Sequence, residues 1–520
     1  MTGIAAQPTI DQPLLRRFEI ELKAKVPHLS ARTNPVVVNP TPLIDITDAL
    51  LECGRAEYAL AIPTRDIRVY GKLDSEIFGG SVKVRPAIEI IEDAIASGRL
   101  RTGQTIFETT SGNFGLALGL LSSLGLKVIA IVSRKLQEGV ADQLKKDGVR
   151  LVNLDIDICP APGSRMDVNV VVAKTTASNV REQLVSIGMD VSAFDRARVE
   201  IEGLLARQDV MSLAKVLARE YGGFCPEQYD SELNVRSHET ITGPEIDQQL
   251  SRQGESIVDY QLVCAFGTGG TSLGLSNYVG KKYDRTSVHV IFPLSNQDVA
   301  GIRTKEKAFG LRFYKPEAYA GQHEVDFESA RRVFRFFVKR GYNIGESSAL
   351  ALYASLQMLN YGSEKKFVVM LADGFHKYAS TLEVLRETPR AFEVTLKEAA
   401  ADQSEYVQVL WTHAAFVPKD EGIKLIASAL GCEESKVKTA RAKDVQSLLS
   451  TGEIPEAMRM ILPKKDAKLL LVCMVGGTSL RVAELLEAKG IVAQSLTGGI
   501  TGLPAAIGRE PPDLIQLAVD

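Results

Sequence analysis

The sequence has no long uninterrupted apolar segment and no excess of charge of one sign. Its most apolar stretch, residues 114–132, is broken by Ser122, Ser123, Gly125 and Lys127, which indicates a helix followed by a buried strand and not a membrane span. With 61 Lys and Arg against 64 Asp and Glu, the net charge of −3 lacks the basic excess that nucleic-acid phosphates require. We therefore expect no membrane and no nucleic-acid partner, and a small-molecule ligand instead.

Patterns of metal-binding and paired cysteine residues are also missing. The six cysteines show no CxxC spacing and the six histidines no HxxxH or HxH spacing, so we predict no metal site. Cysteines without such a framework are typical of a reducing compartment, and the N-terminus lacks an apolar segment followed by a cleavage site. The expected location is cytoplasmic.

What the sequence does contain is an alternation of helical stretches and short apolar runs between about Pro40 and Phe392. The runs KVIAIVS, YQLVCAFG, SVHVIFP and KFVVMLADG predict βαβ units with parallel sheets and an α/β fold. We divide the chain into an N-terminal extension (1–37), a main domain (38–392), a connecting region (393–435) and a C-terminal domain (436–520). An insertion at about 161–209 interrupts the main domain, and both a lid or interface role and a plain surface addition are open.

Lys83 follows Gly79 and Gly80 and precedes the helical run IEIIEDAIASG. A lysine at a helix N-terminus in an apolar setting has its ammonium form disfavoured, and a neutral amine is what bonding to a carbonyl compound requires. Taken alone, the segment is also consistent with an ordinary surface lysine.

A polar segment, Glu108–Gly115, joins the strand QTIFE to the helix LALGLLSSL. It contains Thr110, Ser111, Gly112 and Asn113. Backbone donors and hydroxyls at such a helix N-terminus make an anion site, and Asn113 can hydrogen-bond a ring hydroxyl. A simple helix cap is the alternative interpretation.

A glycine-rich segment, Gly267–Gly274, reads GTGGTSLG and follows the strand LVCAF. Glycines let a backbone approach a phosphate closely, and Thr268 and Thr271 add hydroxyls. No Gly-Lys-Ser/Thr follows, so a nucleotide P-loop is not indicated.

In this order and at these separations, the three segments resemble those of the cysteine synthase and cystathionine β-synthase family of pyridoxal-phosphate enzymes. The resemblance covers about residues 38–385 apart from the insertion, and it extends to NPTPL (39–43), FCPEQYDSELN (224–234), HETITGPEI (238–246), GESS (345–348) and LADGFHKYAST (371–381). It implies a two-lobed fold type II enzyme, a pyridoxal 5′-phosphate cofactor, an amino-acid substrate and a homodimer.

The resemblance also implies roles for individual residues. Lys83 would hold the cofactor as a Schiff base and abstract the Cα proton, so that an aminoacrylate forms and a nucleophile attacks it. The cofactor would also be bound by Asn113, by Asp373 and, at its phosphate, by Gly267, Thr268, Gly269, Gly270 and Thr271. The substrate carboxylate would be bound by Thr110, Ser111, Gly112 and Gln228.

Three positions depart from the family pattern. Val84 stands where an acidic residue is usual and Phe114 where threonine is usual, so we expect altered contacts near the substrate. Gly374 stands where a serine would meet the pyridine nitrogen, which leaves Asp373 or a water for that role. An aspartate there would protonate the ring and strengthen its capacity to accept electrons, whereas no partner would weaken it.

In the C-terminal part, Cys473 lies between the strand KLLLV and the helix LRVAELLEAKG, where loop N–H groups and a helix dipole lower a thiol pKa. With GEIPEAM and SLTGGITG, this segment resembles a rhodanese-like domain across about residues 436–505, although Met474 and Thr478 stand where arginines are usual. Two interpretations remain open: a catalytic Cys473 that carries sulfur as a persulfide, and a buried structural cysteine in a regulatory or interaction domain.

The sequence thus predicts a cysteine synthase-like transferase that replaces the β-substituent of O-acetylserine or O-phosphoserine and makes cysteine or a related β-substituted alanine, with Cys473 as a candidate sulfur relay. An amine nucleophile, giving a 2,3-diaminopropionate-type product, is the alternative within the same chemistry. The alternative of another class is a non-catalytic protein that senses an amino acid or binds a partner.

Overall fold

Strands and helices alternate along most of the chain, as the apolar runs predict. The computed structural model describes residues 10–30, 35–133, 136, 138–154, 175–295, 297, 299–378, 392–412, 419–441, 444–445, 447–448, 452–463, 467–473, 477–497, 499 and 503. They divide into two compact units, one within residues 10–378 and the other within residues 392–503.

The first unit contains these elements in chain order: α1 (Gln12–Glu21), β1 (His28–Leu29), β2 (Val37–Val38), β3 (Leu43–Asp45), α2 (Thr47–Tyr58), β4 (Arg68–Leu73), α3 (Val84–Ala96), β5 (Thr105–Thr109), α4 (Asn113–Gly119), β6 (Lys127–Ser133), α5 (Glu138–Lys146), β7 (Arg150–Leu154), α6 (Ala177–Ser186), α7 (Ser192–Arg196), α8 (Arg198–Ala206), α9 (Val210–Glu220), α10 (Glu232–Ser237), α11 (Gly243–Arg252), β8 (Gln261–Ala265), α12 (Gly270–Tyr283), β9 (Val288–Pro293), α13 (Lys305–Ala308), β10 (Gly321–Val325), α14 (Phe327–Lys339), α15 (Glu346–Tyr361) and β11 (Lys366–Leu371).

The larger sheet of this unit has the strand order β10-β9-β8-β11-β4-β3. Neighbouring strands are parallel except β3 and β4, which are antiparallel. Successive residues of β11, Val368 and Val369, face opposite sides of the sheet and are both fully buried. Burial on both faces explains why the strand is a continuous apolar run, KFVVML, and confirms the predicted α/β character.

The smaller sheet consists of the parallel strands β5, β6 and β7. Its hydrophobic core extends into two segments that the sequence places outside the main pattern. Phe18 of α1, in the predicted N-terminal extension, is fully buried there, and so are Leu184 and Phe194 of the insertion. The described part of the insertion therefore packs on the main domain, while residues 161–174 lie outside the described residues.

The second unit has these elements: β12 (Glu393–Val394), α16 (Leu396–Ala401), β13 (Tyr406–Thr412), α17 (Lys419–Leu430), β14 (Val437–Ala440), α18 (Glu456–Arg459), β15 (Lys468–Val472), α19 (Gly477–Glu487) and β16 (Ala493–Leu496). Its sheet is parallel throughout, with the order β12-β16-β15-β13-β14. The central strand β15 is buried on both faces, because Leu470 and Val472 lie in one apolar cluster and Leu469 and Leu471 in another.

We expected residues 393–435 to be a connecting region. In the structure, the described residues of this range belong to the second unit. They supply β12 and the interior strand β13, in which Leu410 and Trp411 are fully buried. A segment with that much buried apolar surface stabilises a core and is not a linker. The rhodanese-like character of residues 436–520 stays a prediction.

No helix among the described residues is long and apolar enough to cross a membrane. Within the same part of the chain there is no group of three or more side chains placed to hold a metal ion. His289 and His323 do meet, at 2.9 Å between Nδ1 and Nε2 across β9 and β10, and this pair is not visible in the sequence spacing.

Candidate active site

The predicted site segments of the first unit meet at the carboxyl ends of its parallel strands. The Thr110–Asn113 loop follows β5, the glycine loop follows β8 and Asp373 follows β11. Lys83 immediately precedes α3. Cofactors bind at this edge of open α/β sheets because strand ends and helix N-termini converge there.

Two left-handed glycines turn the chain into Lys83. Gly79 and Gly80 have φ of 96° and 72°, and a Cβ on Gly79 would come within 2.8 Å of Val84 Cγ2. The N–H of Val82 then donates to the carbonyl of Ala372 at 2.8 Å, which ties the lysine segment to the end of β11. The two glycines that precede Lys83 in the sequence are therefore needed for the backbone conformation of this turn.

The Lys83 ammonium group is disfavoured by its surroundings. Burial lowers the pKa of Lys83 to about 8, a nearby Arg303 lowers it further, and attraction to Asp373 opposes both effects. A lysine with this pKa has a substantial neutral fraction near neutral pH, as the sequence predicts for a residue that bonds to a carbonyl.

A buried network of charges supports the start of α3. Arg85 donates to both oxygens of Asp74, at 3.0 and 2.6 Å, and to Glu245 at 2.7 Å. Lys72 donates to Glu245 at 2.6 Å, and all four side chains are at most 2% exposed. Two cations and two anions balance, so burial is tolerated only while every member is present.

The glycine loop brings backbone N–H groups to the N-terminus of the 14-residue helix α12. Gly269 has φ of 89°, and a Cβ there would lie 2.9 Å from the carbonyl oxygen of Phe313. A Cβ on Gly267 would lie 3.7 Å from Lys83 Nζ, so the loop and the lysine face one pocket. The positive end of the helix dipole there favours a phosphate.

Side chains behind the loop hold it in place. Thr268 Oγ1 accepts from Asn234 Nδ2 at 3.0 Å and from the Gly270 N–H at 3.3 Å. His238 lies 3.2 Å from the Thr271 hydroxyl, and burial keeps the pKa of His238 well below its usual value. The neutral imidazole therefore fixes Thr271 without adding a charge.

The Thr110 loop is shaped by its own side chains. Thr110 Oγ1 accepts from the N–H groups of Gly112 and Gly115, both at 3.0 Å, and Gly112 has φ of 135°. Gln228 Nε2 donates to the carbonyl of Thr109 at 3.0 Å, so the structure places Gln228 against this loop. A Cβ on Gly301 would lie 3.5 Å from Ser111 Oγ.

Glu108 supports both the Thr110 loop and the Gln228 segment. Its carboxylate accepts from the N–H groups of Thr109 at 2.8 Å and Gln228 at 3.3 Å. Burial raises the pKa of Glu108 to about 7, although these hydrogen bonds oppose the shift.

Asp373 and Asn113 form a hydrogen-bonded pair beside Lys83. Asn113 Nδ2 donates to Asp373 Oδ2 at 2.7 Å, and Tyr378 donates to the same oxygen at 2.6 Å. Asp373 is fully buried, yet its Oδ1 has no hydrogen-bond donor among the residues that the structure describes. A buried carboxylate oxygen without a donor is costly, which indicates that a ligand group supplies one.

The three departures from the family pattern have different outcomes. Val84 and Phe114 lie in the hydrophobic core around the smaller sheet, with at most 2% of their surface exposed. The expectation that they alter substrate contacts is therefore corrected, since these side chains pack against apolar neighbours. A Cβ on Gly374 would lie 2.2 Å from Asn343 Oδ1, so the backbone there leaves no room for a serine side chain. The charge that acts on Lys83 from this segment is that of Asp373.

Sequence reasoning missed several residues of this site. Arg303 is 7% exposed and donates to the Tyr229 hydroxyl at 2.7 Å, and its positive charge lowers the pKa of Lys83. No motif marks Arg303, because it lies in an irregular segment after β9. Lys377 and Tyr378 belong to the segment LADGFHKYAST, and their positions next to Asp373 were the available signal.

The residues present fit pyridoxal 5′-phosphate. Lys83 supplies an amine, the glycine loop and the N-terminus of α12 suit a phosphate, and Asp373 Oδ1 is a buried carboxylate oxygen that still needs a donor. The backbones of Ser81 and Asp373 form an isolated β-bridge. The Ser81 hydroxyl is also buried and has no hydrogen-bond partner among the described residues. Two unpartnered polar groups therefore lie on neighbouring backbone segments, and Lys83 is two residues after Ser81.

Cys473 occupies a separate position in the second unit. It follows β15, is 4% exposed, and its sulfur accepts from the N–H of Ser479 at 3.4 Å and from its hydroxyl at 3.2 Å. Ser479 Oγ also lies 2.8 Å from Ser495 Oγ. Residues 474–476, which include Met474, lie outside the described residues.

Comparison with known proteins gives one family match. The model of the family described as pyridoxal-phosphate dependent enzyme matches residues 39–161 and 158–374, more than half of the chain. Cysteine synthase of Staphylococcus aureus is 28% identical over 323 residues, which is 60% of this chain and 88% of that protein. Cysteine synthase B of Pseudomonas aeruginosa is 26% identical over 314 residues, 60% of this chain and 87% of that protein.

Solved structures also resemble the chain. O-ureido-L-serine synthase superposes with a TM-score of 0.49 and 22% identity, covering 67% of this chain and 94% of that one. The O-acetylserine dependent cystathionine beta-synthase of Helicobacter pylori gives 0.47 and 21%, with 65% and 94% covered. On the strength of the family match, the chain belongs to the family of pyridoxal-phosphate dependent enzymes, and pyridoxal 5′-phosphate is its cofactor.

Proposed function

We propose that this enzyme replaces the β-substituent of an activated serine, O-acetylserine or O-phosphoserine, and makes cysteine or a related β-substituted alanine. The observation that carries the proposal is that Lys83, with its lowered pKa, lies beside the glycine loop at the strand edge where the Thr110 loop also ends. One loop suits the cofactor phosphate and the other a substrate carboxylate. Cysteine synthases among the relatives support the reaction class.

The cofactor is proposed to be held by three groups of residues. Gly267, Thr268, Gly269, Gly270 and Thr271 bind its phosphate, Asn113 donates to its ring hydroxyl oxygen, and Asp373 accepts from its ring nitrogen. When bound, the cofactor supplies an electron sink next to the substrate Cα. A carboxylate at the ring nitrogen keeps that nitrogen protonated and strengthens the sink.

Lys83 is proposed to bond to the cofactor, to be released when the substrate amine takes its place, and then, as a free amine, to take the proton from the substrate Cα. A base is most effective when its pKa lies near the operating pH, and the pKa of Lys83 at about 8 meets that condition. The buried charges around Arg85 hold the first turn of α3, so the amine keeps its place when the proton moves.

The substrate carboxylate is proposed to bind at the Thr110 loop. Thr110 already accepts two backbone hydrogen bonds, which leaves its own O–H to donate outward, and Ser111 adds a second hydroxyl. Gln228 uses one N–H on the Thr109 carbonyl and has another to offer. Gly112 lets the loop adopt the φ of 135° that this arrangement needs.

A second candidate concerns the source of the nucleophile. The Ser479 N–H and O–H both donate to the Cys473 sulfur, so the side chain is held at the end of β15, next to the start of α19. We propose Cys473 as a sulfur relay: its thiolate attacks the outer sulfur of thiosulfate, a sulfur–sulfur bond forms, and sulfite leaves with the electron pair of the broken bond. An amine nucleophile, giving a 2,3-diaminopropionate-type product, is the competing proposal.

Product analysis tests the reaction. The holoenzyme is incubated with O-acetylserine or O-phosphoserine, and each is combined in turn with sulfide, thiosulfate or an amine donor. The Lys83→Ala and Cys473→Ser variants are assayed in the same way. The proposal expects one serine to be consumed only when Lys83 is present, with a β-substituted alanine as product. Release of ammonia and an oxoacid without substitution would contradict it. Thiosulfate use that is lost in Cys473→Ser supports the relay, and use that persists removes it.

The homodimer and the cytoplasmic location stay predictions. Analytical ultracentrifugation of the holoenzyme measures the first directly.

A further inference from the structure

A second buried lysine lies next to the proposed ring-binding residues. Lys377 is 7% exposed, and its Nζ donates to Asn113 Oδ1 at 2.6 Å and to the carbonyl of Gly80 at 3.0 Å. Gly80 belongs to the turn that places Lys83, and Asn113 begins α4. Lys377 therefore contacts both sequence segments that approach the cofactor from the N-terminal half of the chain.

The chemistry of lysine fixes the orientation of the Asn113 amide. An ammonium group has three donors and no acceptor, so only the amide oxygen of Asn113 can face it. The amide nitrogen must then point the other way, where it donates to Asp373 Oδ2 at 2.7 Å. Nδ2 carries two hydrogens, and the second remains for a ligand.

The Asp373 side of the pair is fixed by the neighbouring residue. Tyr378 donates to Asp373 Oδ2 at 2.6 Å, and Tyr378 and Lys377 share one short helical turn, Phe375–Tyr378. With Oδ2 accepting from Asn113 and Tyr378, Oδ1 is the oxygen without a donor among the described residues. A single turn thus orients an amide donor and a carboxylate acceptor that are themselves hydrogen-bonded.

We propose that Lys377 is a positioning residue that sets the Asn113 amide so that Nδ2, and not Oδ1, faces Asp373 and the cofactor ring. The proposal rests on the proposed function in one respect, the assignment of Asn113 to the ring hydroxyl oxygen. If the amide turned over, its oxygen would face both the Asp373 carboxylate and the ring oxygen, and acceptors would then meet acceptors.

The test is a double-mutant cycle on cofactor binding. Lys377→Met removes the donor and the charge, Lys377→Arg keeps both, and each is made with Asn113 and with Asn113→Ala. The dissociation constant of pyridoxal 5′-phosphate is measured by titration, and the visible absorption spectrum of the bound cofactor reports the hydrogen bond to the ring hydroxyl oxygen. Lys366→Met is the matched control, because Lys366 pairs with Glu255 at the opposite end of β11.

In the Asn113 background, Lys377→Met is expected to weaken cofactor binding about tenfold, equivalent to about 1.4 kcal/mol, and to change the spectrum. Lys377→Arg is expected to restore both, and Lys366→Met to change neither. In the Asn113→Ala background, Lys377→Met is expected to have less than about a twofold effect, because the residue through which it acts is gone.

An equal loss of affinity in both backgrounds, or an unchanged spectrum in Lys377→Met, would overturn the proposal. Should Lys377→Met fail to fold, as judged by thermal unfolding without cofactor, Lys377→Gln replaces it in the same cycle. Failure of the proposed assignment of Asn113 looks different: Asn113→Ala alone would then leave the affinity and spectrum of the bound cofactor as in the wild type.

Discussion

Each unit has a junction at which an interior parallel strand is followed along the chain by a helix. In the first unit β8 is followed by the glycine loop and α12, and in the second β15 is followed by α19. Both strands are parallel to their neighbours and almost completely buried. By topology alone, each junction is a place where an anion or cofactor can bind.

The two junctions differ in the side chains that other segments bring to them. The glycine loop faces Lys83 across the pocket, and Asp373 lies beside that lysine with an oxygen that lacks a donor among the described residues. At the second junction, the N–H and hydroxyl of Ser479 donate to the Cys473 sulfur, and the Ser479 hydroxyl lies 2.8 Å from that of Ser495. A fold thus offers positions for chemistry, and residues from distant parts of the chain decide whether a position is used.

Removing the central amine should break the first junction most severely. Lys83→Ala is expected to lower turnover by roughly 10³-fold or more, because both the bond to the cofactor and the base are lost. Steady-state assay of purified variants measures the effect. Retention of more than about a tenth of the activity would show that another group supplies both roles.

Removing the charge support beneath Lys83 should act on stability. Arg85→Met leaves Asp74 and Glu245 buried without their main partner, so we expect a loss of about 3–5 kcal/mol in the free energy of unfolding. Denaturant unfolding measures it. The control is Arg68→Met, which breaks the exposed pair with Asp45 and should cost less than about 1 kcal/mol. Equal losses in the two variants would contradict the network's role.

The charge state of Lys83 predicts a pH dependence for cofactor capture. Because burial lowers its pKa to about 8, the neutral amine fraction rises about tenfold between pH 7 and pH 9, and the rate of capture should follow it. Stopped-flow absorbance after mixing cofactor-depleted protein with pyridoxal 5′-phosphate measures that rate. A rate that is flat over this range would place the pKa of the reacting amine elsewhere.

The same pKa has a consequence for stability, with a definite sign. Since the folded pKa is depressed from 10.5, protonation disfavours the folded state without cofactor, so Lys83 costs stability below about pH 8 and the cost disappears as the pH rises past 10.5. The pKa of Lys72 is also lowered to about 8, so its contribution overlaps. Denaturant unfolding of the cofactor-free protein at several pH values measures the free energy of unfolding. The difference between wild type and Lys83→Met in its pH dependence gives the contribution of Lys83.

The smallest effect is expected from the second junction. Cys473→Ser retains an acceptor for Ser479 and belongs to the other unit, so cofactor absorbance and sulfide-dependent turnover should stay within about twofold of wild type. Activity and spectra measured side by side check this. A large loss with sulfide as nucleophile would show that the two junctions are coupled.

The parts of the site that could be predicted are those encoded by neighbouring residues. Lys83, the Thr110 loop and the glycine loop each stand at a strand-to-helix junction that glycines mark in the sequence, and the structure gives them matching backbone conformations. The apolar runs that form β8, β9 and β11 were also predicted, because each run is a local feature of the sequence. Local steric requirements leave a local signature.

The parts that could not be predicted depend on contacts between distant residues. Lys377 and Asn113 are 264 positions apart, and Arg85 and Glu245 are 160 apart. Val84 and Phe114 depart from the family pattern and were therefore expected to alter substrate contacts, yet the start of each helix turns them into the core. Residues 393–435 looked like a linker because their strands pair with residues up to 102 positions away.

Lys83, and not another lysine with a lowered pKa, is expected to bond to the cofactor. The direct measurement is reduction of the holoenzyme with borohydride, which makes that bond permanent, followed by mass mapping of peptides. The cofactor mass is expected on the peptide that contains Lys83. Finding it on Lys377 or Lys72, whose pKa values burial also lowers, would show that another lysine bonds to the cofactor.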